Sequence, residues 1–392
     1  MLLPKTRHNL RHGYGYSALA FLGVTSLWVI FLQQRGLSLV EIGLCESVFH
    51  LTSLLSEVPS GILADRFGYR TMLISSRIMA LVHAVLMLTV TSLPLILLAF
   101  VLQAWAYNLQ SGTLEAALYD TLVSDQATEQ YPQVTKRLNI TIELGDTLGI
   151  LLAGWLLPHH LAVTYWLAIA AAIGAIIIIS QFKVSRSTAV PVESTPAITA
   201  ILQNAVQALA KTPQLRALMV FHGIFAAVGT TYYYYFQTVM TAHHFSGSLI
   251  TGILIAGAGL NVLGIQLTPW LQQHRAQRQL LWQLSVVLVL ALISTFFQAI
   301  ALLVSIYLLI NILMAMIEPL LSNYYNQLIP SDQRATLLSV ASMLFSLAMI
   351  VLFPVIGWLI ELVGFTTTFG SLGGLGLIAG WLIFKTKLAA SH

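Results

Sequence analysis

Long apolar stretches separated by short polar segments recur along the whole chain. A stretch of about 20 apolar residues, folded as an α-helix, spans the roughly 30 Å hydrocarbon core of a bilayer. The pattern therefore predicts an all-α integral membrane fold with twelve transmembrane helices. Their expected positions are residues 14–33, 41–62, 72–91, 95–118, 139–157, 161–182, 214–237, 246–268, 279–298, 301–323, 336–359 and 366–385.

The composition excludes a soluble globular protein. Of 392 residues, 57% are hydrophobic and 8% are charged, whereas soluble domains carry roughly 25% charged residues. The first apolar run is too long for the core of a secretory signal peptide, so we expect no cleavable leader. The single cysteine, Cys45, excludes an internal disulfide.

The basic residues predict the orientation of the spans. They cluster before span 1 and after the even-numbered spans, which the positive-inside rule assigns to the cytoplasm. These residues are Lys5, Arg7, Arg11, Arg66, Arg70, Arg77, Lys136, Arg137, Lys183, Arg186, Lys211, Arg216, Arg275, Arg278, Arg334, Lys385 and Lys387. Only Arg35 falls on the other side. We therefore expect a multi-pass protein of the cell (inner, cytoplasmic) membrane with both termini cytoplasmic, and the net charge of +4 reflects topology rather than nucleic-acid binding.

A polar segment, residues 183–213, interrupts the hydrophobic pattern at the middle of the chain. It combines a Ser/Thr/Pro linker, "KVSRSTAVPVESTP", with "AITAILQNAVQALA", which is typical of a short amphipathic surface helix. The predicted domains are an N-terminal six-helix bundle, 1–182, this cytoplasmic linker, and a C-terminal six-helix bundle, 214–392.

The two predicted bundles share a weak internal repeat. Asn311 lies 203 residues after Asn108, and Glu318 lies 203 residues after Glu115. The same Asn and Glu therefore recur at the same place in spans 4 and 10. Two parallel repeats of six spans predict pseudo-symmetric bundles, with a ligand site where the two halves meet, as in many transporters.

The loop between spans 2 and 3, "GILADRFGYR", carries a second recognisable motif. It resembles the G-x-L-x-D-[RK]-x-G-[RK]-[RK] signature of the major facilitator superfamily, with Tyr69 replacing one basic residue. The resemblance implies a cytoplasmic gate formed by Gly61, Asp65, Arg66, Gly68, Arg70 and Asp120. Arg66 and Arg70 are expected to pair with Asp120 or with lipid phosphates.

Span 5 contains "GDTLGILLAG", from Gly145 to Gly154. It resembles the G-x-x-x-G-P-x-x-G-G motif of the drug/proton antiporters of that superfamily, with Ile150 and Ala153 as departures. The resemblance implies proton-coupled drug export. The alternative interpretation is that the small residues allow two helices to pack closely.

Acidic residues within the spans are the candidates for proton coupling. A carboxyl group that is alternately buried and hydrated can bind and release a proton. Glu115 and Glu318 are the first candidates and Asp146 is the next. The alternative is that each glutamate is a neutral, hydrogen-bonded packing group or part of an inner gate.

Span 2 carries a polar stripe at helical spacing that includes Glu46, His50 and Glu57. The pair Glu46 and His50 can act as a proton relay, or can form an ordinary hydrogen bond between helices. Glu57 is also expected to neutralise Arg77, which lies well inside span 3.

The substrate is expected to contact polar and aromatic side chains in both halves. The candidates are Asn108, Asn311, Trp105, Tyr107, His222, Tyr232 and Tyr233. Some of these aromatic residues can instead belong to the belt at the membrane interface. Aromatic faces with carboxylates, and no lysine or arginine to hold an anion, favour a lipophilic cation or a neutral amphipath.

The chain lacks the sequence features of an enzyme or an ATP-driven pump. It contains no nucleophile elbow and no phosphate-binding glycine loop, and the pairs His159-His160 and His243-His244 lack further metal-ligand partners. We therefore expect no enzyme activity, no metal and no cofactor, with a proton gradient as the energy source. The expected partners are a small-molecule substrate, protons and membrane lipids, and a monomer is expected.

The predicted function is that of a proton-coupled secondary active transporter that exports lipophilic cationic or neutral amphipathic compounds by alternating access. A proton-coupled symporter of a neutral nutrient such as a sugar is the first alternative, because paired Asn and Glu residues serve that function as well. A non-transporting membrane scaffold or receptor is the second alternative.

Overall fold

The computed structural model describes residues 2–157, 160–183, 213–328 and 334–389. Within those ranges the regular secondary structure is helical and no strand occurs, which confirms the all-α prediction. Nearly all of the predicted linker, residues 184–212, lies outside the described residues, and its amphipathic helix stays a prediction.

Contacts between Cα atoms divide the chain into two compact units. Unit 1 comprises Met1–Arg35, Leu44–Ile201 and Ser246–Thr251, and unit 2 comprises Gly36–Gly43, Leu202–Phe245 and Gly252–His392. Each unit therefore contains most of one sequence half together with a short segment from the other half.

Unit 1 contains the first eight helices, apart from the start of α3, which belongs to unit 2. The helices are α1 (Pro4–Ala20), α2 (Trp28–Gln34), α3 (Leu39–Phe67), α4 (Tyr69–Thr89), α5 (Leu93–Gln110), α6 (Thr113–Val123), α7 (Tyr131–Leu156) and α8 (Ala162–Ser180), with 3₁₀ turns at Gly23–Thr25 and Thr128–Gln130.

Unit 2 contains the remaining six helices, apart from the start of α10, which belongs to unit 1. The helices are α9 (Pro213–Ala242), α10 (Gly247–His274), α11 (Gln277–Ser294), α12 (Ile300–Leu328), α13 (Arg334–Val363) and α14 (Phe365–Ala389), with a 3₁₀ turn at Thr295–Phe297.

Among the described residues, nine helical segments are long and apolar enough to cross a membrane. A tenth is obtained if α1 and α2, which meet at a bend of 42°, count as one span. Helix α7 and the apolar start of α14, Phe365–Ile378, occupy the positions of predicted spans 5 and 12. The architecture is thus consistent with the twelve predicted segments.

Two of the predicted spans each consist of two helices rather than one, although the fourth still counts as a single apolar segment, Leu93–Val123. The first breaks between α1 and α2 at the turn Gly23–Thr25. The fourth breaks between α5 and α6, where Gly112 adopts a left-handed conformation with φ of 72°. Glycine reaches this conformation without steric penalty, so a new helix can start there.

The break in the first span fits closely against α7. A Cβ atom added to Gly149 would lie 2.3 Å from the backbone nitrogen of Gly23, and one added to Gly145 would lie 2.9 Å from the carbonyl oxygen of Ala18. Both positions therefore require glycine. Within unit 1 the "GDTLG" part of the motif thus allows close helix packing, as its alternative interpretation predicted.

Candidate functional site

The most developed polar cluster among the described residues lies in unit 2 and consists of Glu318, His222 and Tyr325. Nε2 of His222 lies 3.2 Å from Oε1 of Glu318, and its Nδ1 lies 3.1 Å from the Tyr325 hydroxyl. The Glu318 side chain is 71% exposed, whereas that of His222 is 14% exposed, and Tyr325 is buried. The imidazole therefore connects an accessible carboxyl group to a buried phenol.

This cluster is placed by the antiparallel pairing of α9 with α12. His222 on α9 contacts Glu318 on α12. About two turns further along α9, Gly229 faces Met314 of α12 so closely that a Cβ atom there would lie 1.9 Å from Cε of Met314. About one turn beyond Gly229, the ring of Tyr233 on α9 stacks on that of Tyr307 on α12, with centroids 5.4 Å apart. Because of the helical spacing, these three pairs lie along one line of contact between the two helices.

Tyr325 lies beyond the apolar span Ile300–Ser322 of the same helix. Burial raises the pKa of its hydroxyl above the ordinary value of a tyrosine, and the charge of Glu318 acts in the same direction. The hydroxyl therefore stays protonated at neutral pH and can donate a hydrogen bond.

Asn311, predicted as a substrate ligand, precedes Glu318 by seven residues on α12. Its Nδ2 donates to the carbonyl oxygen of Tyr307 in its own helix at 2.8 Å. It packs closely on α10, because a Cβ atom on Gly257 would lie 3.1 Å from that nitrogen.

Asn108, its counterpart in the repeat, is differently engaged. Its Nδ2 donates to the carbonyl oxygen of Ser53 at 2.6 Å and to Oγ of Ser56 at 2.8 Å, and its Oδ1 accepts from Oγ of Ser53 at 2.9 Å. Asn108 is buried and ties α5 to α3, so the two repeat-related asparagines differ in structure although they match in sequence.

Two of the three candidate relay residues on α3, Glu46 and His50, lie next to each other. Nε2 of His50 lies 3.4 Å from Oε1 of Glu46, and both side chains are largely buried. Phe49 packs edge-on against the rings of His50 and Tyr107. Glu57 is exposed and lies outside this cluster.

Arg77 is buried, and the expected ion pair with Glu57 is wrong. Its Nη1 donates to the carbonyl oxygen of Ala20 at 3.1 Å and its Nη2 donates to Oγ of Ser76 at 2.9 Å. Its guanidinium also lies over the ring of Tyr16. Among the described residues, no carboxylate lies within 4.0 Å of it.

The other two acidic candidates lie beside the breaks in unit 1. Glu115 falls in the first turn of α6, where free backbone N–H groups favour a carboxylate. The carboxylate of Asp146 lies against the turn at Gly23, where a Cβ atom would be 2.2 Å from its Oδ1. Neither carboxylate has an ion-pair partner among the described residues.

The remaining aromatic candidates fall into two groups. Tyr107 is 56% exposed and Trp105 is partly buried, so both are accessible on unit 1. Tyr232 is fully buried, and its hydroxyl donates to the carbonyl oxygen of Leu303 at 3.0 Å. Its ring packs against Phe365 and Phe369. In this arrangement Tyr232 contributes to packing, and we leave it out of the proposed site.

The loop motif forms a contact that differs from the predicted one. The hydroxyl of Tyr69, rather than Arg66 or Arg70, donates to Oδ2 of Asp120 at 2.8 Å. Among the described residues neither arginine lies within 4.0 Å of that carboxylate, so this part of the expectation is wrong. Gly68, the residue that precedes α4, has φ of 78°.

Three further residues belong to the predicted gate: Gly61, Asp65 and Arg66. Gly61 is exposed, and the guanidinium of Arg66 lies over the ring of Phe67. The side chain of Asp65 lies outside the described residues.

In the part of the chain that is described, no group of three or more His, Cys, Asp or Glu side chains could hold a metal ion.

Tyr325 and Tyr69 are two residues that the sequence-based site did not include. Tyr325 follows Glu318 by seven residues, a spacing that places both on one helix face, so its position was available in the sequence. Tyr69 occupies a basic position of the loop signature, and its phenol can replace a cation as hydrogen-bond donor to a carboxylate.

Comparison with known proteins gives a family for the chain. The family model of the Major Facilitator Superfamily matches residues 14–352. An uncharacterised MFS-type transporter, YxaM of Bacillus subtilis (strain 168), is 26% identical over 136 residues, which is 34% of this chain and 34% of that protein. The match thus covers about a third of the length of that relative.

Solved structures share the fold. A mutant of the nucleoside transporter NupG superposes with a TM-score of 0.79 at 14% identity, covering 96% of this chain and 99% of that one. A D-xylose-proton symporter superposes with a TM-score of 0.66 at 14% identity, covering 96% of each chain. At these identities the likeness shows the fold alone.

Proposed function

We propose a mechanism for this chain from the premise that it belongs to the Major Facilitator Superfamily and is therefore a multi-pass membrane transporter. The finer proposal is proton-coupled secondary active transport by alternating access. The expected setting is the cell membrane with both termini cytoplasmic, and the expected energy source is a proton gradient without a cofactor.

The contact between Glu318 and His222 is the observation that carries the proposal. A carboxyl group within hydrogen-bonding distance of an imidazole can pass a proton to it or accept one from it, because both groups can act as general acid and base. The Glu318 side chain is exposed on unit 2, and in this proposal it faces the transport pathway, where water or a substrate reaches the carboxyl group. In this scheme a substrate entering from the cytoplasm displaces a proton from Glu318, and the outward state binds a proton again.

Glu318 is the primary proton carrier in this proposal. Glu115 lies at a helix start rather than beside a histidine, and Asp146 lies against a backbone turn. We retain both as secondary candidates. Glu46 and His50 are close enough for a relay, and we propose that role for them in unit 1.

The proposed substrate is a lipophilic cation or a neutral amphipath that is exported. The exposed carboxyl group of Glu318 in unit 2 can pair with a cation or accept hydrogen bonds from a neutral polar group. The buried arginine of unit 1 does not favour anions, because Arg77 already donates to Ala20 and Ser76.

Proton-coupled uptake of a neutral polar solute is the second candidate. The proteins with similar folds include a nucleoside transporter and a D-xylose-proton symporter. Asn311 lies about two turns from Glu318 on α12 and is partly accessible, so an amide and a carboxyl group are available for hydroxyl groups of such a solute.

The test is transport in proteoliposomes driven by an imposed pH gradient, with fluorescent cations, nucleosides and pentoses as probes. Glu318→Gln keeps the shape of the side chain but cannot bind or release a proton. We expect it to abolish gradient-driven accumulation of the transported probe while passive exchange of that probe continues. Uncoupled exchange persists because it requires substrate binding but no proton transfer.

Glu41→Gln is the matched control. Its carboxylate accepts hydrogen bonds from the backbone nitrogen and hydroxyl of Ser38 near the start of α3, and glutamine retains an acceptor oxygen there. Wild-type coupling in the Glu318→Gln protein would refute the proposed role of that residue. The direction of the gradient that drives accumulation separates export from uptake.

A further inference from the structure

Tyr325 contacts the histidine of the proposed proton site but not the site's carboxyl group. Its hydroxyl lies 3.1 Å from Nδ1 of His222, while Nε2 of the same ring lies 3.2 Å from Oε1 of Glu318. The tyrosine lies on α12, as does Glu318, and His222 lies on α9. The imidazole is thus held at both nitrogens by two residues of one helix.

The protonation of the ring nitrogens follows from the chemistry of these partners. A carboxylate only accepts hydrogen bonds, so a neutral imidazole must present Nε2–H to an ionised Glu318. The Nδ1 atom then lacks a proton and needs a donor. The Tyr325 hydroxyl is a buried phenol that remains protonated at neutral pH and supplies that donor.

We propose that Tyr325 is a positioning residue that holds His222 in the Nε2–H tautomer, facing the Glu318 carboxylate. This inference rests on the proposed function, because it assigns Tyr325 to the site in which Glu318 binds and releases the proton. The hydrogen bond made by one ring nitrogen sets which form the other nitrogen takes. Without the phenol, the imidazole can exchange tautomers and rotate away from the carboxylate.

The burial of the three residues supports this division of roles. The exposed fraction falls from 71% for the Glu318 side chain to 14% for His222 and to 3% for Tyr325. The group that exchanges protons is accessible, whereas the group that orients the ring is shielded from water that would compete for its hydrogen bond.

The test is ¹⁵N NMR of histidine-labelled protein in detergent micelles at pH 8, where protonated and unprotonated ring nitrogens have well-separated shifts. The His222 resonances are assigned by their loss in His222→Gln. We expect the wild type to be mainly Nε2–H and Tyr325→Phe to lower the Nε2–H to Nδ1–H ratio about fivefold, the factor that one hydrogen bond of ordinary strength represents.

Tyr324→Phe is the matched control, since it removes the hydroxyl of the neighbouring residue on the same helix. We expect it to leave the His222 spectrum unchanged. An unchanged tautomer ratio in Tyr325→Phe, or an equal change in both variants, would overturn the inference.

A second measurement covers the case in which Tyr325→Phe fails to fold. Wild-type protein grown with 3-fluorotyrosine carries more acidic phenols of nearly unchanged shape. A stronger donor at position 325 should move the Nδ1 resonance of His222, and an unmoved resonance would contradict the proposed hydrogen bond.

The two proposals fail in different ways. If Tyr325→Phe changes the tautomer ratio but Glu318→Gln retains proton coupling, Tyr325 positions the histidine and the proposed proton carrier is wrong. If Glu318→Gln loses coupling but Tyr325→Phe leaves the tautomer unchanged, the carrier stands and the role of Tyr325 is refuted.

Discussion

The guanidinium of Arg77 donates a hydrogen bond to the carbonyl oxygen of Ala20, the last residue of α1. The final carbonyl groups of a helix lack partners within the helix, and they carry the negative end of its dipole. A buried cation at this point therefore stabilises the end of α1 and permits the first span to break.

Replacing the arginine with a neutral residue should destabilise the segment between α1 and α2. We expect Arg77→Met to lower the free energy of unfolding by about 2 kcal/mol, because a hydrogen bond to a charged group is lost. Hydrogen–deuterium exchange should increase at residues 21–27 more than elsewhere in unit 1. Chemical unfolding in micelles measures the first effect and mass spectrometry the second.

Arg66→Gln is the control, since Arg66 is exposed and lies over Phe67 rather than at a helix end. It should leave both measurements close to those of the wild type. Equal exchange at residues 21–27 in wild type and Arg77→Met would show that the cation does not support the break.

The contact between α7 and the first span should not tolerate a methyl group. A Cβ atom on Gly149 would lie 2.3 Å from the backbone nitrogen of Gly23, and backbone atoms cannot rotate aside. We expect Gly149→Ala to lower the free energy of unfolding by at least about 2 kcal/mol, measured by thermal unfolding of the purified protein.

Gly259→Ala makes the same chemical change in a helix where a Cβ atom would meet no atom within 4 Å. Alanine favours helix over glycine by up to about 1 kcal/mol, so this variant should match or exceed the stability of the wild type. If both variants behave alike, the close packing at Gly149 is not required.

The repeat-related asparagines should differ in their effect on stability. Asn108→Ala removes three hydrogen bonds between α5 and α3, and we expect a loss of roughly 2–3 kcal/mol at about 1 kcal/mol for each. Asn311→Ala removes one bond within its own helix, so a loss below about 1 kcal/mol is expected. Equal losses in the two unfolding curves would contradict the observed asymmetry.

The loop between α3 and α4 should depend on a phenol rather than on a cation. Tyr69→Phe removes the donor to Asp120, and we expect a loss of about 1 kcal/mol, reduced by the partial exposure of the carboxylate. Arg70→Gln should change the stability by less than about 0.5 kcal/mol. A larger effect of Arg70→Gln would instead support the pairing of this arginine with Asp120 that the motif predicted.

Hydropathy and motif spacing were sufficient to predict the all-α membrane fold and the superfamily. Both depend on local composition, because any apolar run of about 20 residues must form a helix to satisfy its backbone groups in lipid. The same reasoning missed the breaks at Gly23–Thr25 and Gly112. Hydropathy registers neither the close backbone contact that Gly149 makes with Gly23 nor the left-handed backbone of Gly112.

The sequence by itself identified Glu318 and His222 as candidates, but as separate residues on separate spans. Only the tertiary structure decided that they contact each other, that Tyr325 holds the second ring nitrogen, and that Glu115 lies at a helix start instead. The reason is physical: a partner across two helices depends on the rotation and depth of each. Side-chain packing sets both of these, and the spacing of residues along one chain does not.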